Sequence, residues 1–166
     1  MGKISFEDLV MLREKHKNEK IVFCSGSFDL FHVGHILFLE DCRKFGDILV
    51  VGVGGDEAIR ESKGPNRPIL NEHIRLKTIG SLNQVDYFLL DDNLLNKPHK
   101  LGFVESVLKT LKPDVYAVNE DGFQMNKRKE IAQNLGIQLK ILQRHCPPEF
   151  ENISTTKIIE KVKTHF

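Results

Sequence analysis

No sign of charge dominates this chain: its 166 residues carry 24 lysines and arginines against 23 aspartates and glutamates, a formal net charge of +1. That balance removes the electrostatic case for a nucleic-acid partner or an anionic membrane surface. Long apolar runs are absent too, and every run falls far short of the roughly 20 residues that cross a bilayer. The N-terminus lacks the basic-then-apolar order of a secretory signal. It reads instead as a helix start, with Ser5 and Asp8 at capping-box spacing. Gly2 is a poor myristoylation site because position 6 is Phe. Cysteines are few, odd in number and widely spaced (Cys24, Cys42, Cys146), which excludes a disulfide framework and fits reduced thiols in a cytoplasmic protein. Repeats, low-complexity tracts and linkers are missing, so the length implies one domain with room for a substantial core.

What is present is an alternation of strand-like and amphipathic segments. Strands are expected at Ile21–Ser25, Asp47–Val53, Asp86–Asp91, Asp114–Val118 and Gln138–Gln143. Helices are expected at Val33–Phe45, Asn71–Leu82, Leu101–Leu111, Met125–Leu135 and Ser154–Thr164, with another over Phe6–His16 before the first strand. Asp91-Asp92-Asn93 and Cys146-Pro147-Pro148-Glu149 read as ordinary loops. This order predicts an α/β fold: a Rossmann-like, doubly wound parallel sheet of about five strands, with the ligand crevice at the carboxyl ends of the strands.

The segment Ser25-Gly26-Ser27-Phe28-Asp29-Leu30-Phe31-His32-Val33-Gly34-His35 lies where the first strand turns into a helix near Gly34. Helix N-termini present free N–H groups and partial positive charge, which suit a phosphate. His32 and His35 fall on one side of that first turn, and Gly26 and Gly34 leave room for a ligand beside the backbone. Phosphate binding, a plain structural turn and a metal-binding histidine pair all fit the spacing, although zinc would need further ligands that nothing nearby supplies.

These residues, Gly26-Ser27-Phe28-Asp29 together with His32-Val33-Gly34-His35, resemble the HxGH nucleotidyltransferase superfamily, the cytidylyltransferase-like group. The resemblance implies that Gly26, Ser27, Phe28 and Gly34 bind a nucleotide and that His32 and His35 are catalytic. It extends to Lys63-Gly64-Pro65-Asn66-Arg67-Pro68, a loop in which family members carry a phosphate-binding lysine. Without it, Lys63 and Arg67 would read as solvated loop cations; with it, Lys63 joins the catalytic group and Arg67 stays open. Asn71-Glu72-His73-Ile74-Arg75 resembles the family's Glu-x-x-Arg segment, which implies that Arg75 faces the acceptor's phosphate.

Near the C-terminus, Ile153-Ser154-Thr155-Thr156-Lys157-Ile158 resembles the ISTT-type motif. Its hydroxyls at a helix start suit either capping or a phosphate, and the resemblance implies triphosphate binding by Ser154, Thr155 and Thr156. Glycerol-phosphate cytidylyltransferases carry an arginine shortly before that motif, where this chain has Pro147-Pro148-Glu149-Phe150-Glu151-Asn152; Arg144 or a neighbouring subunit would have to replace it. At the fourth strand end, Asn119 and Asp121 fit contacts to base and ribose or simply a tight turn. Lys127-Arg128-Lys129-Glu130 reads as a solvated helix face.

The implied reaction moves a nucleotidyl group from CTP or ATP to a small phosphorylated alcohol or sugar and releases pyrophosphate. An acceptor phosphate monoester loses its second proton near pH ~6 and needs no covalent intermediate. Positioning and charge stabilisation, with Mg2+ carried by the substrate's phosphates, can supply the chemistry. Asp29 is expected to orient the acceptor or the second histidine. Lys63 to Pro68 looks most like the heptose-phosphate adenylyltransferase branch, whereas Ser154 to Ile158 fits glycerol- or ethanolamine-phosphate cytidylyltransferases equally well; the varied acceptors of that branch tilt the expectation to CTP. The rival from another class is a non-catalytic nucleotide-binding regulatory protein, which loss of the histidines would have favoured. A homodimer is expected, because a partner's side chain could replace the missing arginine and symmetric pairs are the commonest oligomer.

Overall fold

A computed structural model of the chain describes residues 2–92, 101–144, 146–150 and 153–165. Along these residues run β1 (Gly2–Lys3), α1 (Leu9–Lys15), β2 (Ile21–Gly26), α2 (Val33–Arg43), β3 (Ile48–Gly54), α3 (Asp56–Lys63) and α4 (Glu72–Ile79). They continue with β4 (Tyr87–Asp91), α5 (Gly102–Leu111), β5 (Val115–Asn119), α6 (Met125–Asn134), β6 (Gln138–Leu142) and α7 (Thr155–His165). The sheet order is β1-β4-β3-β2-β5-β6 and every pairing is parallel.

Strand pattern explains the core. In β2, Ile21 and Phe23 face one layer while Val22 and Cys24 face the other; in β3, Ile48 and Val50 oppose Leu49, Val51 and Val53. Both faces are apolar because helices cover both. One layer packs α1, α5 and α6 through Leu9, Leu12, Val107, Leu108, Leu111 and Ile131; the other packs α2 and α4 through Leu39, Cys42, Leu76 and Ile79. The chain steps outward from β2 to β3 and β4, then crosses back to β5 on the other side of β2. The reversal opens a crevice between the carboxyl ends of β2 and β5, the place where such sheets bind ligands.

The structure departs from expectation in three elements. A sixth strand, β1, pairs with β4 through Gly2 and Lys3, where a helix start was expected; two residues are too few to show a strand's period. The expected Ser5–Asp8 contact nonetheless forms, with the Ser5 N–H donating to Asp8 Oδ2 at 2.8 Å just before α1. Residues 56–63, for which no helix was expected ahead of the loop that begins at Lys63, form α3, which buries just Ile59 and so carries little apolar signal. Asp91 closes β4 as a nearly buried residue instead of opening a loop, while Asn93, Glu151 and Asn152 lie outside the described residues. Among the described residues no helix is long and apolar enough to cross a membrane. All three cysteines are free thiols, Cys24 and Cys42 buried and Cys146 exposed.

Candidate active site

The turn from β2 into α2 holds two non-glycine residues in the left-handed region, Phe28 (φ 50°) and Leu30 (φ 45°). Each costs on the order of 1–3 kcal/mol and persists only where the surroundings fix it. Two anchors do so here. Phe28 is a core residue, and Asp29 is almost fully enclosed. The Asp29 carboxylate accepts hydrogen bonds from the Ile69 N–H (3.0 Å), the Leu70 N–H (2.9 Å) and Arg67 Nε (2.8 Å). Its backbone carbonyl accepts from Thr155 Oγ1 at 2.8 Å. Burial alone would raise the Asp29 pKa, but the two N–H groups and the guanidinium outweigh it and hold the carboxyl below its ordinary value. Asp29 therefore ties the turn to the 67–70 loop and to the start of α7; of its two expected roles, orienting the acceptor or the second histidine, its carboxylate faces protein and its charge acts on His35.

His32 caps α2 and His35 stands in its first turn, with the two rings stacked at 3.9 Å between centroids. Phe31 stacks on His35 at 5.2 Å and Phe28 meets it edge-on at 5.5 Å. The His32 N–H points at His35 Nδ1 across 3.4 Å, which assigns the proton of a neutral imidazole to Nε2. Burial first, then the charges of His32, Arg144 and Lys63, pulls the His35 pKa down to about 3, with only Asp29 opposing. His32 shifts the same way, by burial and then Arg144. Both imidazoles are thus neutral near pH 7, each with one ring N–H to donate and one ring nitrogen to accept.

The glycine spaces are filled by the protein's own rings. A Cβ on Gly26 would meet the Phe28 ring at 3.0 Å, and one on Gly34 would meet the His32 ring at 3.1 Å. These glycines admit the side chains that shape the turn, and Gly34 and Gly26 also line the two cavities that flank it, so part of the room expected for a ligand is taken by the protein's own rings. Phe28 likewise supports His35 from the core and offers no open face to a nucleotide.

Two cavities flank the turn. The first gathers His32, His35, Asn119, Gln143, Arg144 and Ile153 at the carboxyl ends of β2, β5 and β6. The second gathers Ser25, Gly26, Ser27, Lys63, Phe123 and Arg128 beside the ends of β2 and β3. Lys63, expected in a loop, is the last residue of α3, and its ammonium is pulled below its ordinary pKa by burial and then by Arg67. Ser154 caps α7 by accepting from the Lys157 N–H at 3.2 Å, while Thr155 is engaged with Asp29 and Thr156 is exposed. The ISTT-like segment thereby meets the first motif across 126 residues of sequence.

Arg75 does not face open space. It is fully buried and donates to Leu70 O (2.9 Å), Ser27 O and Gly54 O (2.6 Å each) and Asp56 Oδ1 (2.8 Å). Glu72 accepts from the Asp56 N–H at 2.9 Å. Both polar residues of the Glu-x-x-Arg segment therefore fix the first residue of α3, whose far end presents Lys63. Four of the five N–H donors of Arg75 are spent on these groups and the side chain has no exposed surface, so it braces the strand ends and does not reach an acceptor phosphate here.

Two residues that the sequence did not place are here, Gln143 and Arg128, beside Arg144, which it offered as one replacement for the missing arginine. Arg144 lines the first cavity, where an arginine was missing before Ser154, and is held by Asp121 Oδ2 at 2.8 Å. Asp121 thus orients Arg144 and does not line that cavity, unlike Asn119 and the neighbouring Gln143. Arg128 turns inward, whereas Lys127 pairs with Glu130 at the surface as expected. The signal for Arg128 was its position on the Met125, Ile131, Ala132 face of α6, the inner one.

The neutral His35 has a thermodynamic signature. In the unfolded chain its imidazole takes a proton below its ordinary pKa of 6.5, but in the folded chain only near 3. Stability is therefore expected to fall as pH drops through that window, by up to about 1.4 kcal/mol per unit. The urea midpoint should decrease from pH 7 to pH 5, and decrease less in His35→Gln; equal slopes in the two proteins would contradict the buried neutral imidazole.

Residues 23–161 match the family model described as cytidylyltransferase-like. The protein named Bifunctional protein HldE from Citrifermentans bemidjiense is 34% identical over 155 residues, covering 93% of this chain and 29% of that protein. Its namesake from Pseudomonas putida is 34% identical over 165 residues, covering 98% and 32%. The chain thus spans about a third of the length of these relatives. A solved lipopolysaccharide core biosynthesis protein from Thermoplasma volcanium shares 32% identity at a TM-score of 0.60, covering 76% of this chain and 97% of that one. A pantoate-beta-alanine ligase from Francisella tularensis, 17% identical at a TM-score of 0.62 and covering 98% of this chain and 77% of that one, shares the fold. With the parallel sheet, the two stacked histidines at the β2–α2 turn and a family match across most of its length, the chain belongs to the cytidylyltransferase-like family of nucleotidyltransferases.

Proposed function

We propose that the chain transfers a nucleotidyl group from a nucleoside triphosphate to a small phosphorylated sugar and releases pyrophosphate. The observation that carries this reading is the neutral, ring-packed His35 beside His32 at the helix N-terminus, between one cavity lined by Asn119 and Arg144 and another lined by Lys63. A triphosphate in the first cavity would present its α-phosphate to the α2 N–H groups and to His35 Nε2–H. An oxygen of the acceptor's phosphate then bonds to the α-phosphorus as the bond to the bridging oxygen breaks, and pyrophosphate leaves. The acceptor is already a dianion near neutral pH, so no general base is required.

Mg2+ fits this site as a companion of the substrate. Among the described residues no cluster of three His, Cys, Asp or Glu side chains is arranged to hold a metal, and the Asp29 carboxylate is engaged by Arg67 and two N–H groups. Imidazoles, an ammonium and a guanidinium suit phosphate oxygens, and Mg2+ is commonly held through those oxygens and water. Bound so, it would neutralise charge on the leaving pyrophosphate.

A sugar acceptor is supported by the solved relative titled for lipopolysaccharide core biosynthesis and by the resemblance of Lys63 to Pro68 to heptose-phosphate adenylyltransferases, which favours ATP. Ser154 to Ile158 support the second reading, CTP with glycerol or ethanolamine phosphate. Titrating ATP and CTP in parallel, then screening sugar and alcohol phosphates for turnover, separates the two. Turnover with ATP and a sugar phosphate is expected; turnover confined to CTP and alcohol phosphates would overturn the sugar reading. We also propose a cytoplasmic homodimer; Arg144, the other candidate for the missing arginine, lines the first cavity. Light scattering on an active preparation should give twice the chain mass; an active monomer refutes it.

A further inference from the structure

The second cavity contains two cations that no carboxylate neutralises directly. Arg128 donates through Nε to Phe123 O at 2.7 Å, bonds the Tyr116 hydroxyl through Nη1, and lies over the Tyr116 ring at 5.8 Å. Among the described residues it forms no ion pair, and neither does Lys63. Burial pulls the Arg128 pKa down to about 10, so the group remains a cation at neutral pH. Among the described residues Asp91 is the one carboxylate on the cavity wall, which leaves that lining net cationic. A guanidinium held in place by a carbonyl and a phenol, yet left without an anion, is costly until an anionic ligand arrives. Ordinary helix economy does not explain it, because Lys127 and Lys129 on the same helix reach solvent.

We propose that Arg128 selects the acceptor: with Lys63 on the same cavity it takes a phosphorylated molecule whose remainder is neutral or acidic, and it disfavours one that carries an ammonium group. This rests on the nucleotidyltransferase reading above and divides its two acceptor classes. A sugar or glycerol phosphate meets the fixed fork with oxygens that accept from it. Ethanolamine phosphate would bring a third cation into the cavity, where like charges are weakly screened. Arg128 is then a specificity-determining residue, and Arg75, the arginine expected to meet the acceptor's phosphate, braces Ser27 and Gly54 on the wall of the same cavity.

The test measures acceptor KM, kcat and nucleotide affinity separately in the unaltered chain, Arg128→Gln, Arg128→Lys, Lys63→Met and the double variant Lys63→Met with Arg128→Gln. Glycerol 3-phosphate, hexose and heptose 1-phosphates and ethanolamine phosphate serve as acceptors, and inorganic phosphate serves as a probe that needs no turnover. Arg128→Gln is expected to raise KM for the best acceptor about ten- to hundredfold and to spare nucleotide affinity measured alone. Its preference against ethanolamine phosphate should shrink. Inorganic phosphate should raise the Tm of the unaltered chain, less so in either single variant, with the two losses non-additive because both cations hold one anion. If Arg128→Gln does not fold, Arg128→Lys, which keeps charge but not the fork, is expected to show an intermediate KM and to replace it in the cycle. Equal losses towards nucleotide and acceptor, unchanged acceptor preference, or additive phosphate effects would overturn the assignment. Failure of ATP and CTP to bind the unaltered chain would instead defeat the functional reading, with the phosphate titration still deciding whether this cavity holds an anion.

Discussion

Replacing His35 by alanine is expected to lower kcat by about 10²–10³-fold while nucleotide affinity changes far less. His35 is clasped by Phe28, Phe31 and His32, so its ring has little freedom, and its Nδ1 faces the His32 N–H. Only Nε2–H is left to meet a ligand, and a neutral donor held this way acts most strongly where charge develops. Removing one preorganised donor of this kind costs about 2.7–4 kcal/mol of transition-state stabilisation. Steady-state kinetics beside calorimetric titration of the triphosphate separates the two effects. His35→Gln, whose amide nitrogen reaches near the position of Nε2, should recover part of the loss; His32→Ala should lower kcat as well. Near-normal kcat in His35→Ala would make the ring stack a packing feature alone.

Arg75→Met is expected to destabilise the fold by about 3–5 kcal/mol, the scale for breaking a buried ion pair and leaving its partner behind. Four acceptors lose their donor at once: the carbonyls of Ser27, Gly54 and Leu70 and the Asp56 carboxylate. Ser27 and Gly54 stand at the ends of neighbouring strands, so the change would loosen the edge that carries both cavities. Arg75→Lys should rescue little, because an ammonium on a flexible stem cannot reach groups spread around a planar fork. Urea unfolding followed by circular dichroism measures the loss. A midpoint equal to that of the unaltered chain, with only acceptor KM raised, would return Arg75 to the acceptor-binding role suggested by its motif.

Arg75 and Arg128 mark where sequence reading stops. Strand and helix order was legible because both sheet faces are apolar, so the strands stand out as short, β-branched runs: Ile21 to Gly26 and Ile48 to Gly54 hardly differ from expectation. The histidine turn was legible because its residues are contiguous. Arg75 was not, because its partners lie 48 and 21 residues away and an arginine on a helix is ordinarily a surface group. Arg128 was masked by its neighbours Lys127 and Lys129, although its spacing from Ile131 put it on the buried face of α6. α3 escaped detection because a helix with one buried residue has no stripe to read. Asp29 looked like a ligand contact because its role depends on two distant segments, the 67–70 loop and Thr155, that only the fold brings to it.

The most direct measurement is pyrophosphate release by the purified chain with Mg2+, ATP or CTP, and a sugar phosphate, each component omitted in turn. Release is expected only when triphosphate and phosphorylated acceptor are both supplied, and it should cease when the acceptor is dephosphorylated, since the attacking oxygen belongs to that phosphate. Release that continues unchanged with the dephosphorylated sugar would contradict nucleotidyl transfer to a phosphate acceptor.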